Sequence, residues 1–501
     1  MKSIFDKNIS TILKKNPELA RILLNTVGSG DYANTSTTKT GMICPQLKNG
    51  HLLHSKYAPE REAVNMFSGN EEFVLFSGIG SGIHIRYFLD KFKDKHCAIT
   101  ESNFEAFRSL LELIDISDIL SNKRVHIFSP ITAESFEKDI IKNYLPAVHG
   151  NFTVKTLRPW SQYFPQEFNL LTEKIKTGME TIKSDFSVQA NFGKLWVRNI
   201  FLNLQLADKI NPAMPETDNS KTALILGAGP SLEYGIKKIK NKRKEYVLFS
   251  TDTAYSVLLN HHIVPEFYVS IDPQNISYLH IKNMQQRNVI GVFDLCSNST
   301  VPELFYKHGN TVIFTSGKHP LTANLPEFPF MNTDSGTVAI AALDLAKRLG
   351  FSKTEFTGLD FAYSEGKAYA NGTYLSKIYH SCSNRISPTE NYFTKLMFRA
   401  PVSANKKNGK ITYRSSVLDF YAKNFTNYKF DNSIWKKSDF AKFDYKKFFE
   451  NLLHDLKTKN TESLTGFFPL LAYYKTKNTK ILQNFSAFDL VINEILQYNE
   501  L

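Results

Sequence analysis

Five segments of the chain carry residue types from which a phosphate or nucleotide site can be made. In Gly227-Ala228-Gly229-Pro230-Ser231, after the apolar run TALIL, the glycines let backbone approach a ligand and Pro230 can open a helix, whose first amides then face an anion. Two other apolar runs end in carboxylates, YVLFST at Asp252 and EFYVSI at Asp272. In an open parallel sheet the carboxyl ends of the strands converge on the ligand crevice. Thr333-Asp334-Ser335-Gly336-Thr337 precedes the apolar stretch VAIAALDLAKRLG and offers hydroxyls and free amides at another helix start. The fifth segment places Asp360 at a strand end and then Tyr363 and Tyr369 in a glycine-containing loop, where phenolic hydroxyls can donate to a phosphate without adding charge. Helix capping, turn formation and loop packing are the plainer roles open to each.

A further glycine-rich turn, Gly78-Ile79-Gly80-Ser81-Gly82, follows the run FVLFS, and Glu101 ends the next strand-like run. The pattern fits a nucleotide or S-adenosylmethionine site in which the carboxylate holds ribose hydroxyls, and equally a structural turn that packs strand tightly on helix. His51, His54 and the pair His261–His262 lack partners at metal-ligand spacing, so no metal is assigned. Lys406, Lys407, Lys410 and Arg414 read as a solvated basic face rather than a nucleic-acid contact.

The elements that must position these residues alternate between strand and helix. Short apolar runs bounded by turn residues recur at FVLFS, HCAITES, TALIL, YVLFSTD, EFYVSIDP, NVIGVFD and NTVIFTS, with helical spacing between them, as at Phe104, Phe107, Leu110, Leu111 and Ile114. This is the rhythm of a parallel α/β sheet, and two glycine-rich turns imply two tandem Rossmann-like units. Residues 501 in number exceed what one core fills, at about 150 per domain. The reading divides them into an N-terminal Rossmann-like domain with a helical extension (1–215), a central Rossmann-like catalytic domain (216–415) and an all-helical C-terminal region (416–501). A 42% hydrophobic share excludes a disordered or fibrous chain, and a net charge of +13 favours phosphate-bearing or acidic partners. Four scattered cysteines without a CxxC pair suit a reducing cytoplasm, and no run of about 18 apolar residues suggests a membrane span.

The succession GAGPSL, DTAYSVLLNHHIVPEFYVSIDP, SGTVAIAALDLAKRLGF and TGLDFAY resembles the motility accessory factor family, whose central domain is also named for similarity to 6-hydroxymethylpterin pyrophosphokinase. Upstream, HSKYAPEREA, FSGIGSGIHIRYFLDK and ESNFEAF match its N-terminal domain in character, so the resemblance covers about residues 50–400. The central motifs are also similar to bacterial CMP-sialic-acid-dependent sialyltransferases. That likeness implies a nucleotide site of Gly227, Ala228, Gly229, Pro230, Ser231, Asp252, Asp272, Ser335, Gly336 and Thr337, with Ala228, Asp252 and Asp272 standing where those enzymes have asparagine. It implies catalytic roles for Asp360 and for Tyr363 and Tyr369, six residues apart as in the sialyltransferases once Ala362 is taken as an insertion. His380 is the nearest downstream histidine that could serve as base.

The resemblance implies a cytoplasmic, metal-independent, inverting glycosyltransferase. It would move a CMP-activated nonulosonic (sialic-acid-like) sugar to Ser/Thr of flagellin, a step required for flagellar assembly and motility. The CMP-sugar is a substrate, and no cofactor, nucleic acid or membrane span is expected. An ATP-dependent 6-hydroxymethylpterin pyrophosphokinase, with Mg²⁺ on Asp252, Asp272 or Asp360, is the alternative, and a non-catalytic flagellar assembly factor is a third reading.

Overall fold

The computed structural model describes residues 3–282, 286–317, 319–323, 325–333, 336–407, 410–477 and 486–500. The chain forms two compact units, residues 1–191 with 475–477, and residues 192–474 with 478–501. The 45-residue helix Pro165–Lys209 contributes to both. The polar stretch of residues 211–221, where the composition suggests a linker, belongs to the second unit, as does most of the helical C-terminal region.

In the first unit an antiparallel pair, β1 (Tyr32–Thr37) and β2 (Ile43–Leu47), precedes four strands: β3 (Phe73–Ser77), β4 (His96–Thr100), β5 (Val125–Ile127) and β6 (Phe152–Thr156). These four are parallel and ordered β5-β4-β3-β6. Every residue of β3 is buried, as expected for a central strand covered on both faces. The helix Phe104–Leu113 starts where Asn103 accepts the Ala106 amide, and its buried face includes Phe107, Leu110 and Leu111.

The second unit is built on six parallel strands: β7 (Thr222–Leu226), β8 (Tyr246–Thr251), β9 (Phe267–Ser270), β10 (Ile290–Asp294), β11 (Thr311–Thr315) and β12 (Thr354–Thr357). Their order is β11-β10-β9-β8-β7-β12, so the chain direction across the sheet reverses between β7 and β12. Both sheets with their flanking helices are Rossmann-like α/β, and a reversal of this kind opens a crevice at the carboxyl ends of the strands. Contiguous apolar runs explain why these segments are strands: Phe249 and Phe267 stack at 4.6 Å inside the sheet core.

A small antiparallel sheet follows, β13 (Tyr363–Ser364), β14 (Val402–Lys407) and β15 (Lys410–Ser415), ordered β13-β15-β14. It contains the basic run, which is split between the two strands of a hairpin, Lys406 and Lys407 on β14 and Lys410 and Arg414 on β15. The remaining segments include the helices Ser416–Thr426, Tyr445–Lys457 and Ala487–Asn499. Phe201 of the long helix gathers the rings of Phe448, Phe449, Phe467 and Tyr498 within 6.5 Å. Among the described residues no helix is long and apolar enough to cross a membrane.

Candidate functional site

β7 ends in the Gly227–Ser231 turn and its neighbour β12 ends in Gly358-Leu359-Asp360, so the two turns meet where the strand order reverses. They clasp one another. The Gly227 amide donates to the Thr357 carbonyl (3.0 Å) and the Gly229 amide to that of Gly358 (2.8 Å). A Cβ at position 229 would meet Asp360 Oδ2 and stand 2.8 Å from the Gly358 carbonyl oxygen, so this approach requires glycine. Asp360 Oδ2 accepts both the Ser231 amide (3.2 Å) and hydroxyl (2.8 Å), and the Gly358 amide donates to Ser231 Oγ (3.2 Å). A carboxylate of the chain itself therefore takes donors that the sequence pattern offers to a ligand phosphate. Burial raises the Asp360 pKa, while the Ser231 hydrogen bonds oppose the rise. Within the same turn, the Ala228 carbonyl accepts the Ala370 amide at 2.8 Å, which fixes the loop beside Tyr369.

The next two strands bring up a second group. Asp252 opens the helix Asp252–Asn260; its Oδ1 accepts the Thr253 amide (2.6 Å) and its Oδ2 the Ser270 hydroxyl from the end of β9 (3.0 Å). Asp272 lies just past β9 and accepts the Gln274 amide (2.9 Å). Burial raises the Asp272 pKa and the charge of Asp252 adds to the rise. Burial lowers the His280 pKa, while both aspartates pull it back up, and its ring stands edge-on to Tyr374 at 4.8 Å. Tyr374 is pushed up to about 12, by burial first, then by Tyr369, Tyr379, Asp272 and Asp252. Tyr369 rises through burial, Tyr363, Asp252 and Tyr421, against the opposing charge of Arg399. Tyr421 rises through burial and Asp272, and its ring lies 3.7 Å from where a Cβ on Gly336 would be.

Asp252, Asp272, Tyr363, Tyr369 and Gly336 are thus brought together, and His280, Tyr374, Tyr421 and Arg399 join them. His280 and Tyr374 also line an open cavity of about 400 Å³, with Ser256, Asn260, Lys282 and Lys377. His380 is elsewhere on the surface, at the exposed end of the helix Tyr374–Cys382, with Nδ1 3.3 Å from the Thr389 hydroxyl. A histidine eight residues past a strand-end aspartate was the available signal for His280. Thr337 caps the helix Val338–Arg348 by accepting the Ala339 amide, and Ser335 lies outside the described residues. The tyrosine loop is held from three sides. Tyr363 pairs with Tyr413 of β15, Lys367 forms an ion pair with Glu233 (2.8 Å), and both tyrosines pack against Ala368, Phe393 and Met397.

β10 supplies a carboxylate that sequence reasoning missed. Asp294 is buried; Oδ1 accepts the Cys296 amide (2.7 Å) and Oδ2 has no partner among the described residues. Burial raises its pKa to about 6. An acid whose folded pKa lies above its unfolded value of about 3.9 contributes stability that is complete below that value and is lost as pH rises through the folded pKa. Asp294→Asn keeps the shape without the charge, so it is expected to raise stability above pH 6 by about 2–3 kcal/mol and to flatten the decline between about pH 4 and 6. Urea unfolding of both proteins across that range checks it.

The first glycine-rich turn is closed by its own surroundings. Glu101 is buried and accepts the Ile79 amide (2.9 Å), the Trp160 indole (3.0 Å) and the Tyr32 hydroxyl (3.0 Å), and His54 Nε2 accepts the Ser81 amide (3.1 Å). The Trp160 ring lies 2.6 Å from a Cβ built on Gly78, at φ +80°. Trp160 and Tyr32 hold the carboxylate that the nucleotide reading reserves for ribose.

A family model described as 6-hydroxymethylpterin diphosphokinase MptE-like matches residues 195–366. An uncharacterized protein of Treponema pallidum (strain Nichols) is 44% identical over 165 residues, covering 33% of this chain and 79% of its own length. Another from the same organism is 39% identical over 213 residues, covering 42% of this chain and 76% of its own. Among solved structures, a MAf glycosyltransferase from Magnetospirillum magneticum AMB-1 superposes with a TM-score of 0.50 at 13% identity, over 99% of this chain and 90% of that one, a likeness of fold. The chain belongs to the family of these Treponema pallidum proteins, with an MptE-like domain at its centre.

Proposed function

We propose that the chain is a glycosyltransferase that moves a CMP-activated nonulosonic sugar to a Ser/Thr hydroxyl of flagellin, with inversion at the anomeric carbon. The observation that carries the reading is the convergence of Asp252, Asp272, His280, Tyr363 and Tyr369 at the carboxyl ends of β8 and β9 and in the loop after β12. The fold likeness to a MAf glycosyltransferase supports it. The bond between the anomeric carbon and the CMP phosphate breaks, positive charge develops on the ring, and CMP leaves with the electron pair. Tyr369 and Tyr363 donate to the departing phosphate, with Arg399 as the nearby positive charge, in the place a cation takes in other transferases. Asp252 and Asp272 accept hydrogen bonds from the ribose hydroxyls or the cytosine amine. The acceptor hydroxyl forms the new bond, and its proton passes to His280, whose buried imidazole is neutral and whose charged form the two aspartates stabilise.

Calorimetry with CMP tests the donor half. Asp272→Ala should weaken CMP binding at least about tenfold in a folded protein, since a crevice residue lies outside the core. Intact-mass analysis of flagellin from cells with and without this protein tests the acceptor half. A missing sugar mass without the protein is the expected result; unchanged flagellin together with no CMP affinity would remove this reading.

A further inference from the structure

Three histidines of the first unit, unrelated to the crevice just described, stand at the amino ends of the parallel strands. His96 is the first residue of β4, His126 is the middle residue of β5, and His149 ends the short helix Pro146–His149 that leads into β6. His126 is in register with Ala98, two residues on from His96, so pleat alternation puts His96 and His126 on the same face of the sheet. One ring nitrogen from each histidine lies within 4.8 Å of the others. His96 Nδ1 and His126 Nε2 are 3.3 Å apart. Zinc bonds imidazole nitrogen at about 2.0–2.1 Å, which makes the edge of a tetrahedral site about 3.4 Å. The first pair already has that spacing, and a side-chain movement of about 1.5 Å brings in the third.

We propose that His96, His126 and His149 bind one divalent transition-metal ion, zinc before others, with a fourth position open to water. His126 is hydrogen-bonded to the side chain of Asn143, the kind of outer partner that orients a ligating imidazole. His149 Nδ1 accepts the Leu145 amide at 3.1 Å, so ligation through Nε2 requires that ring to give up this bond and carry its proton on Nδ1. Metal binding needs neutral imidazoles. Burial and the neighbouring rings push His126 down to about 4 and His149 to about 3, and burial lowers His96 as well. The nearby cations Lys15 and Arg124 are occupied with backbone carbonyls, of Asn122 and Val125 for the lysine and of Leu89, Phe92 and Lys95 for the guanidinium. An all-nitrogen donor set suits zinc, copper, nickel or cobalt and disfavours magnesium and calcium, which demand oxygen. The ion would tie together β4, β5 and the entry to β6, three segments that local sequence does not link. A dry stack of rings is the competing explanation, since Phe73 lies 5.1 Å from the His149 ring and 6.0 Å from that of His126.

The test uses untagged full-length protein, stripped with a chelator, given Zn²⁺ and separated from free metal by gel filtration. Elemental analysis should return one zinc per chain, Tm should rise with Zn²⁺, and Co²⁺ in its place should show the visible absorption of a tetrahedral site. His96→Gln and His126→Gln should each lose the metal, and exposed His51→Gln should retain it. Asn143→Ala, which leaves all three ligands, should weaken zinc binding about tenfold or more. Wild-type protein that retains no zinc, or a His126→Gln protein that binds zinc like the wild type, would overturn the proposal. These readouts are independent of sugar transfer, so they stand whatever the fate of the proposed activity.

Discussion

If the chain performs the sugar transfer proposed above, Tyr369→Phe is expected to lower its kcat by about 10²–10³ while leaving KM for the CMP-sugar nearly unchanged. The phenol is largely buried, and its surroundings include the negative charge of Asp252, the hydroxyl of Tyr363 and the positive charge of Arg399. A hydroxyl there has most to offer when negative charge develops on the leaving phosphate, so its removal acts on the transition state and little on the ground state. The ring packs beside Ala370 and against the cluster of Ala368, Phe393 and Met397. Phenylalanine keeps that packing, so the variant separates hydroxyl from ring. Tyr363→Phe should act in the same direction, because β13 and its pairing with Tyr413 survive the change. Steady-state kinetics with varied CMP-sugar measures both. Wild-type kcat in the two variants would move leaving-group stabilisation to other residues.

Arg348→Ala is expected to destabilise the second unit by about 3–5 kcal/mol, the cost of leaving a buried charge without its partner. Arg348 is 2% exposed and Asp344 1%. The guanidinium donates to Asp344 through Nε (2.6 Å), to the Ser433 carbonyl through Nη1 (3.0 Å) and to Asp431 through Nη2 (3.0 Å). Asp344 also accepts the Asn332 amide (2.8 Å) and the Tyr428 hydroxyl (2.5 Å), and the guanidinium lies 4.9 Å from the Phe330 ring. Truncation removes the cation and its packing together and strands the Asp344 carboxylate. Replacing both partners by apolar residues, Asp344→Leu with Arg348→Met, should recover part of the loss, since no lone charge remains. Urea midpoints of the single and double variants decide it. A loss below about 1 kcal/mol for Arg348→Ala would mean that the pair behaves as an exposed one.

Much of this architecture is legible without coordinates. TALIL, YVLFST, FYVS, IGVFD and TVIFT are short apolar runs ending at polar residues, and each is a strand of the second sheet, because strands covered on both faces must be apolar throughout. The meeting of Asp252 with Asp272 is legible for a related reason. Strands that are neighbours in sequence and parallel in space must deliver their carboxyl-end residues to one edge. The hairpin of β14 and β15 is harder to read, since its lysines mask a two-residue alternation in which Ile411 and Tyr413 share a face.

Residue chemistry and its placement along the chain, together with the alternation of strand and helix, are properties of the sequence by itself. They determine a Rossmann-like α/β protein with acidic strand ends and two tyrosines in one loop. Which polar groups remain free for a ligand was decided only by tertiary structure. Ser231 and Asp360 are 129 positions apart and hydrogen-bonded to each other, Trp160 donates to Glu101 from 59 positions away, and His280 rather than His380 stands with the aspartates. His96 and His126 are 30 positions apart and touch. Local spacing governs which face of a helix or strand a side chain takes, but these partners are chosen by strand order and register, which arise only when distant segments pack into one sheet.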